Sequence, residues 1–357
     1  MSDDLNWYGA NGLAVLGTGA ALPGPPLSNA ELFALVAPFN RELTERSFMG
    51  TARRLGIETR HISRDFSVRR EAPRAGARNP DLAARAVAAA LREAGLKPND
   101  LGYLIGHTTT PAQPLPANIV QVADILGYCG PHLELRQACT GFANAVMIAH
   151  GLSAAADARP VAIVGSETGS LFFDPATVAR GGDQLVNLVQ MGDGAGAIIV
   201  GSARNAGARL SGAWFGATGL GRDPGLQMQS GGSDRPFTTD QVIGFQQDYA
   251  AIAAAGPALF AAGLAAAARQ GLSPQQVDHI VPHQASGKIG EQISQALNLP
   301  RAKVFVNADT IGNTGSAAIW IALSALRTHG LAPKQTALIL GAEATKYMHG
   351  GFCYEHG

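Results

Sequence analysis

Charge is scarce in this chain. Only 15% of its 357 residues are charged, and 27 basic residues balance 27 acidic ones. With no net charge there is no global pull toward nucleic acid or an anionic membrane surface. Cysteine is scarcer. Cys129, Cys139 and Cys353 are the only three, and none stands in CxxC spacing. That excludes a disulfide framework and a cysteine-rich zinc site, and it fits a reducing cytoplasm. A basic leader is also missing: the chain opens MSDD, so no export signal is expected. Long apolar runs are rare. One, residues 249–268, holds no charge, but twelve of its residues are alanine and Gly256-Pro257 interrupts it. A span needs about 20 predominantly apolar residues, and alanine adds little transfer energy. The run is expected to be a buried helix with a break, in a soluble protein.

What is present is enough apolar content (46%) and length for a large core built from two fused halves. The halves show as an internal repeat. AVAAALREAGLKPNDLGYLIGH (86–107) and AAAARQGLSPQQVDHIVPH (265–283) each run from an alanine-rich helix through a Gly-Leu-x-Pro stop to a short apolar strand ending at histidine. Thirty-two residues beyond His107 stands Cys139 in QACTGFANA; thirty beyond His283 stands Asn313 in IGNTGSAA. VAIVGSE (161–167) then matches ALILGAE (337–343). Helices alternating with short buried strands predict α/β halves, 1–204 and 205–357, in a layered α/β/α/β/α arrangement.

The repeat puts Cys139 and Asn313 at related helix starts, with His283 the counterpart of His107. A helix N-terminus favours a thiolate, so Cys139 reads as a nucleophile able to form a thioester. Taken alone it also fits a small core residue, and Asn313 fits a helix cap. Neutral His283 and the Asn313 amide both donate hydrogen bonds, which suits a carbonyl oxygen turning anionic.

These residues resemble the β-ketoacyl-ACP synthase III branch of the thiolase superfamily. GTGAALPGPPLSNAEL (17–32), RRLGIETRHIS (53–63), ACTGF, MGDGAGAIIV (191–200), VPHQA and GNTGSA follow that family's order through the whole chain. The resemblance implies a five-layered thiolase fold and a homodimer with no bound cofactor. Coenzyme A or phosphopantetheine carrier-protein thioesters would be the substrates. It implies that Cys139 takes an acyl group, and that His283 and Asn313 stabilise the enolate of a decarboxylating malonyl thioester. It also implies that the backbone N–H groups of Cys139 and Gly351 form the first oxyanion hole.

Three departures bear on substrate. Gly50 occupies the position of the family's adenine-stacking tryptophan, so Phe48 or Met49 is expected to substitute beside Arg54, which favours a carrier protein as donor. The C-terminal stretch GAEATKYMHGGFCYEHG reads as a lengthened loop that brings His349 to the site and cuts the last strand short. In TTTPAQPLPANI (108–119), Leu115 replaces a tunnel-limiting phenylalanine, which predicts longer acyl chains. Residues 53–78 also hold eight arginines against three acidic residues, a local +5 suited to a phosphopantetheine phosphate or an acidic carrier. Without aromatic interleaving, that patch does not suit nucleic acid.

The departures tilt the reading toward specialised, polyketide or fatty-acid-derived metabolism. One alternative is acyl transfer from cysteine to a hydroxyl or amine, but relatives of that kind often carry aspartate in place of the asparagine. A non-catalytic partner subunit and a papain-like hydrolase are the others. The first conflicts with the intact residue trio, and the second lacks the C-G-[SA]-C-[WY] signature.

Overall fold

The computed structural model describes all residues except 1–4, 68–71, 156, 177, 179–181, 204–206, 229 and 237–243. In the first half, β1 (Leu13–Ala21), β2 (Tyr103–His107), β3 (His132–Leu135), β4 (Val161–Glu167) and β5 (Gly194–Ser202) lie in the order β3-β2-β4-β5-β1. In the second, β6 (Arg209–Ala217), β7 (His279–Pro282), β8 (Thr336–Glu343) and β9 (Met348–Glu355) lie in the order β7-β8-β9-β6. A parallel bridge from Ile280 to Val304 takes the place of β3.

The pairing senses match strand for strand. β2 and β4 are parallel, as are β7 and β8; the next two pairings in each half are antiparallel. Leu13 and Ala14 pair with Leu210 and Arg209, which joins the two sheets through β1 and β6. The junction between the halves, 204/205, lies outside the described residues.

Helices fill the layers. Beside α1 (Glu45–Leu55), α2 (Asn79–Ala94) and α3 (Asn118–Leu126) cover the outer face of the first sheet. Between the sheets lie α4 (Gly141–Leu152) and, later in the chain, Ala318–His329. The outer face of the second sheet carries α5 (Tyr249–Arg269) and, beside it, α6 (Ile289–Leu297). The Ala318–His329 helix is α7. The central layer buries Phe142, Trp320 and Phe352 against each other, with ring centroids 5.8–6.0 Å apart. The predicted helix stops hold, because Gly95 and Gly271 take the left-handed conformation that glycine adopts without penalty.

The uncharged run differs from expectation. α5 continues through Pro257 without a break, and only 28% of its most apolar window is buried. Proline removes one hydrogen bond, to the carbonyl four residues back; that residue, Ala253, is exposed, so its carbonyl is open to solvent. Ala255, Leu259, Gly263, Ala266 and Ala267 seat the helix on the sheet. Among the described residues this is the one helix long and apolar enough to cross a membrane, and here it forms an outer layer of the fold.

Of the eight arginines in 53–78, Arg60 and Arg64 lie inside the fold, while Arg53, Arg54 and Arg78 are exposed. Arg60 is fully buried and donates to the Leu27 and Val189 carbonyls and to Asn29; burial pushes its guanidinium down to about 10. Arg64 is buried on the Phe173 carbonyl. Arg69 and Arg70 lie outside the described residues.

Candidate active site

Cys139 lies in a turn between β3 and α4. The helix begins at Gly141, two residues later than Cys139. Gly141 is there because of a close approach: a Cβ at this position would meet the His107 ring at 2.6 Å. The turn is held from the other half of the chain. The Ala138 and Thr140 N–H groups donate to Glu343 at 3.4 and 2.8 Å, and the Thr140 hydroxyl donates at 2.6 Å. The Ser316 hydroxyl oxygen lies 3.2 Å from the Gln137 carbonyl oxygen.

The thiol is not tuned as the sequence suggested. Burial, then the charges of Glu343 and Glu167, push it well above the ordinary cysteine range. A thiol enclosed by protein and flanked by carboxylates outweighs the pull of a helix that starts two residues on. The residue as a whole is half-buried.

His283 follows β7 and donates its backbone N–H to the Leu340 carbonyl on β8 at 2.6 Å, three residues before Glu343. Its ring is buried and pushed down to about 4 by burial, so it is neutral at pH 7. Gln284 ties this strand end to the 307–308 turn by accepting from the Asn307 and Ala308 N–H groups.

Asn313 is pinned by its backbone to the first half. Its N–H donates to the Gln190 carbonyl, and its carbonyl accepts from Gly192. Gly192 must be glycine, since a Cβ there would meet the Ile311 carbonyl at 1.9 Å; this explains the MGDGAGA stretch without any dinucleotide. The Asn313 Oδ1 accepts from the Gly315 N–H at 3.0 Å. That bond fixes which end of the amide is oxygen and leaves Nδ2 free to donate.

The turns carrying Cys139, His283 and Asn313 gather at the C-terminal ends of the parallel strands β2, β4, β7 and β8. The structure adds two groups here that sequence reasoning did not single out. Glu167 ends β4 and Glu343 ends β8, and both are buried. Glu167 accepts from Thr109, Thr110 and Ser316. Their signal lay in the repeat, where VAIVGSE and ALILGAE end in the same residue.

His107, the counterpart of His283, is a core histidine. Its Nε2 accepts from Trp320 Nε1 at 2.9 Å, and burial pushes it down to about 3. Between about pH 6.5 and 4 an unfolded chain takes up a proton that buried His283 refuses. Its contribution to stability therefore falls across that window and is flat below it; His107 extends the loss to about 3. Glu167 and Asp193, raised by burial, act with the opposite sign and lose their cost as pH falls through their folded values. Two imidazoles are expected to stay neutral from about pH 7.5 to 5 in histidine-resolved NMR. Normal titration of His283 near 6.5 would show that its ring is solvated.

Other expected site residues fall elsewhere. Phe48 is fully buried in a cluster with Leu32, Val36 and Phe173, ring-to-edge with Phe33, and does not stack on a ligand. Arg54 is exposed and lines an open groove of about 550 Å³ with Thr44, Arg46 and Gly50. Leu115 is 84% exposed on the surface of the chain. His349 sits inside β9 on the face toward Gly216 and Asn6, while Met348 on the opposite face receives Gln137 Nε2. A strand alternates its side chains, so the histidine is turned from the Cys139 side.

Gly351 stands mid-strand between Leu340 and Trp214. Strands flank it on both sides, and the pairing with β6 is irregular between Gly351 and Cys353. The lengthened loop is a four-residue turn, 344–347, buttressed by Thr218 and Gly225, with the Arg222 guanidinium 3.5 Å over the Tyr347 ring. The last strand is complete through Glu355.

A duplicated pair of sheets, with a cysteine turn and an asparagine turn each clamped by the opposite half, defines a thiolase-fold acyltransferase of the condensing type. Family profiles for 3-oxoacyl-[acyl-carrier-protein] synthase III match residues 133–219, and those for its C-terminal part match 267–350. The chain belongs to this family.

It is 30% identical over 326 residues to the β-ketoacyl-[acyl-carrier-protein] synthase III of Caldanaerobacter subterraneus subsp. tengcongensis, covering 90% of each chain. It is 33% identical over 343 residues to a 3-oxopimeloyl-[acyl-carrier-protein] synthase of Rhodothermus marinus, covering 93% of this chain and 90% of that one. Among solved structures, the tetronic acid condensing enzyme AbyA1 matches with a TM-score of 0.84 at 28% identity, over 96% of this chain and 99% of that one. The 3-oxoacyl-(acyl carrier protein) synthase III of Pseudomonas aeruginosa PAO1 matches at 0.75 and 26%, over 97% and 98%. The papain-like reading falls with this assignment.

Proposed function

We propose that the chain forms an acyl-Cys139 thioester and condenses it with a malonyl or β-ketoacyl thioester in specialised metabolism. The observation that carries the reading is the Asn313 amide, whose oxygen is engaged by Gly315 and whose Nδ2 is left to donate. In the first half-reaction Cys139 Sγ attacks the donor carbonyl. The thiol is protonated at rest, so its proton must leave as the bond forms; the buried, neutral His283, whose Nδ1 has no hydrogen-bond partner, is the base within this constellation. The departing coenzyme A or carrier thiol takes that proton. In the second, a malonyl thioester loses carbon dioxide, whereas a β-ketoacyl thioester gives up an α-proton to a base; in either case the enolate oxygen is held by His283 and Asn313 while the carbanion attacks the acyl carbonyl and the Cys139 thiolate leaves.

The specialised role draws on the likeness to the tetronic acid condensing enzyme and on the 344–347 turn. A tetronic acid is a five-membered lactone, whose ring needs both an acylated carbon and an ester oxygen. Acyl transfer to a hydroxyl is thus the second reading, and the same likeness favours it. The exposed Leu115 loop suits a homodimer in which a second copy covers it, and a cytoplasmic setting supplies both kinds of thioester.

The test offers acyl-CoA and acyl-carrier-protein donors of several lengths with malonyl, β-ketoacyl and hydroxyacyl thioesters, and identifies the products by mass spectrometry. Carbon dioxide release with a carbon–carbon product supports condensation. An ester formed without it moves the second reading to the front.

A further inference from the structure

We propose that Glu343 is a positioning residue for the nucleophile: its carboxylate clamps the 138–140 turn and fixes the place of the Cys139 sulfur and N–H. Four donors converge on it, the Ala138 and Thr140 N–H groups and the Thr140 and Thr345 hydroxyls. A carboxylate offers about four lone-pair sites, so these donors fill it. It has no site left to take the Cys139 proton, which separates its part from that of a general base. Burial leaves it no competing water.

The duplication supports the assignment. Glu167, at the matching end of β4, accepts from Ser316 in the Asn313 turn, and a Cβ on Gly315 would lie 2.9 Å from its Cγ. Each half thus ends a strand in a glutamate that grips the functional turn of the other half.

The clamp has an electrostatic consequence. Glu343 and Glu167 are the charges that act on the thiol, while the buried imidazoles His107 and His283 are neutral at pH 7. A fixed carboxylate beside the turn therefore keeps the sulfur protonated until a substrate arrives. The role as nucleophile rests on the function proposed above, but the clamp is readable without any substrate.

Alkylation of Cys139 by iodoacetamide, followed across pH on its own peptide in a Cys129→Ala background, provides the test. Glu343→Gln is expected to move the alkylation midpoint to lower pH and to slow acyl-enzyme formation about tenfold or more, because an amide cannot accept four hydrogen bonds. Thr140→Val removes one donor and no charge. It is expected to slow acylation while leaving the midpoint within about 0.3 pH units. Circular dichroism establishes that both variants fold. A Glu343→Gln protein with an unmoved midpoint overturns the proposal, as does one that acylates at the parent rate. If no thioester acylates even the parent protein, the function fails, while the alkylation midpoint still decides the clamp.

Discussion

Cys139→Ala is expected to abolish acyl-enzyme formation and to reduce turnover at least about a thousandfold, the scale on which nucleophile deletions act. The fold has little reason to change. The residue is half-buried, the turn is held by backbone groups of Ala138 and Thr140 rather than by the sulfur, and removing the thiol leaves no charge unpaired. The measurement is intact mass after incubation with acyl thioesters, followed by location of the adduct on a peptide. Location matters because Cys129 is exposed and can exchange with thioesters without catalysis, whereas Cys353 is buried and pushed up to about 11. An adduct that survives in Cys139→Ala and maps to neither of the other cysteines would remove the thioester from the reaction.

The architecture was legible because duplication leaves a mark that single elements do not. The strand ending at His107, its counterpart ending at Pro282 just before His283, the left-handed glycines after the alanine-rich helices and the helix start just past Cys139 all follow from local pattern. What sequence reasoning missed depends on which way a side chain faces across a sheet or helix. His349 and Met348 are neighbours in the chain on opposite faces of β9; nothing local tells which one meets the Cys139 side. Phe48 and Gly50 lie on opposite sides of α1 for the same reason, one in the core and one on an open groove.

The upward push on the thiol comes first from burial and then from Glu343 and Glu167, 204 and 28 residues away in sequence. The helix dipole was the only influence visible locally. Arginine counting has the same blind spot: Arg60 and Arg64 are bound to carbonyls inside the fold, so two of the eight counted charges do not reach the surface.

Asn313→Asp is expected to separate the two half-reactions. The aspartate retains an oxygen for the Gly315 N–H, so the turn persists, but it loses the donor offered by Nδ2. It also places a negative charge where an enolate must develop, in a site already holding Glu167 and Glu343. Acyl-Cys139 should therefore form at close to the parent rate, while decarboxylative condensation falls about a hundred- to a thousandfold, the cost of removing one preorganised donor. His283→Ala should cut condensation by a similar factor and slow acylation too, if His283 is the base for the thiol as proposed above.

The two variants differ in pH response. Protonating the new carboxyl restores an O–H donor, and burial among carboxylates raises the pH at which this happens. Condensation by Asn313→Asp should recover partly as pH falls from about 8 toward 5, whereas His283→Ala has no group to recover. Parent-rate condensation by Asn313→Asp would remove the amide from the enolate site. Loss of acylation in the same variant would instead make Asn313 a brace for the Cys139 turn, acting through Gly315, Ser316 and the Gln137 carbonyl.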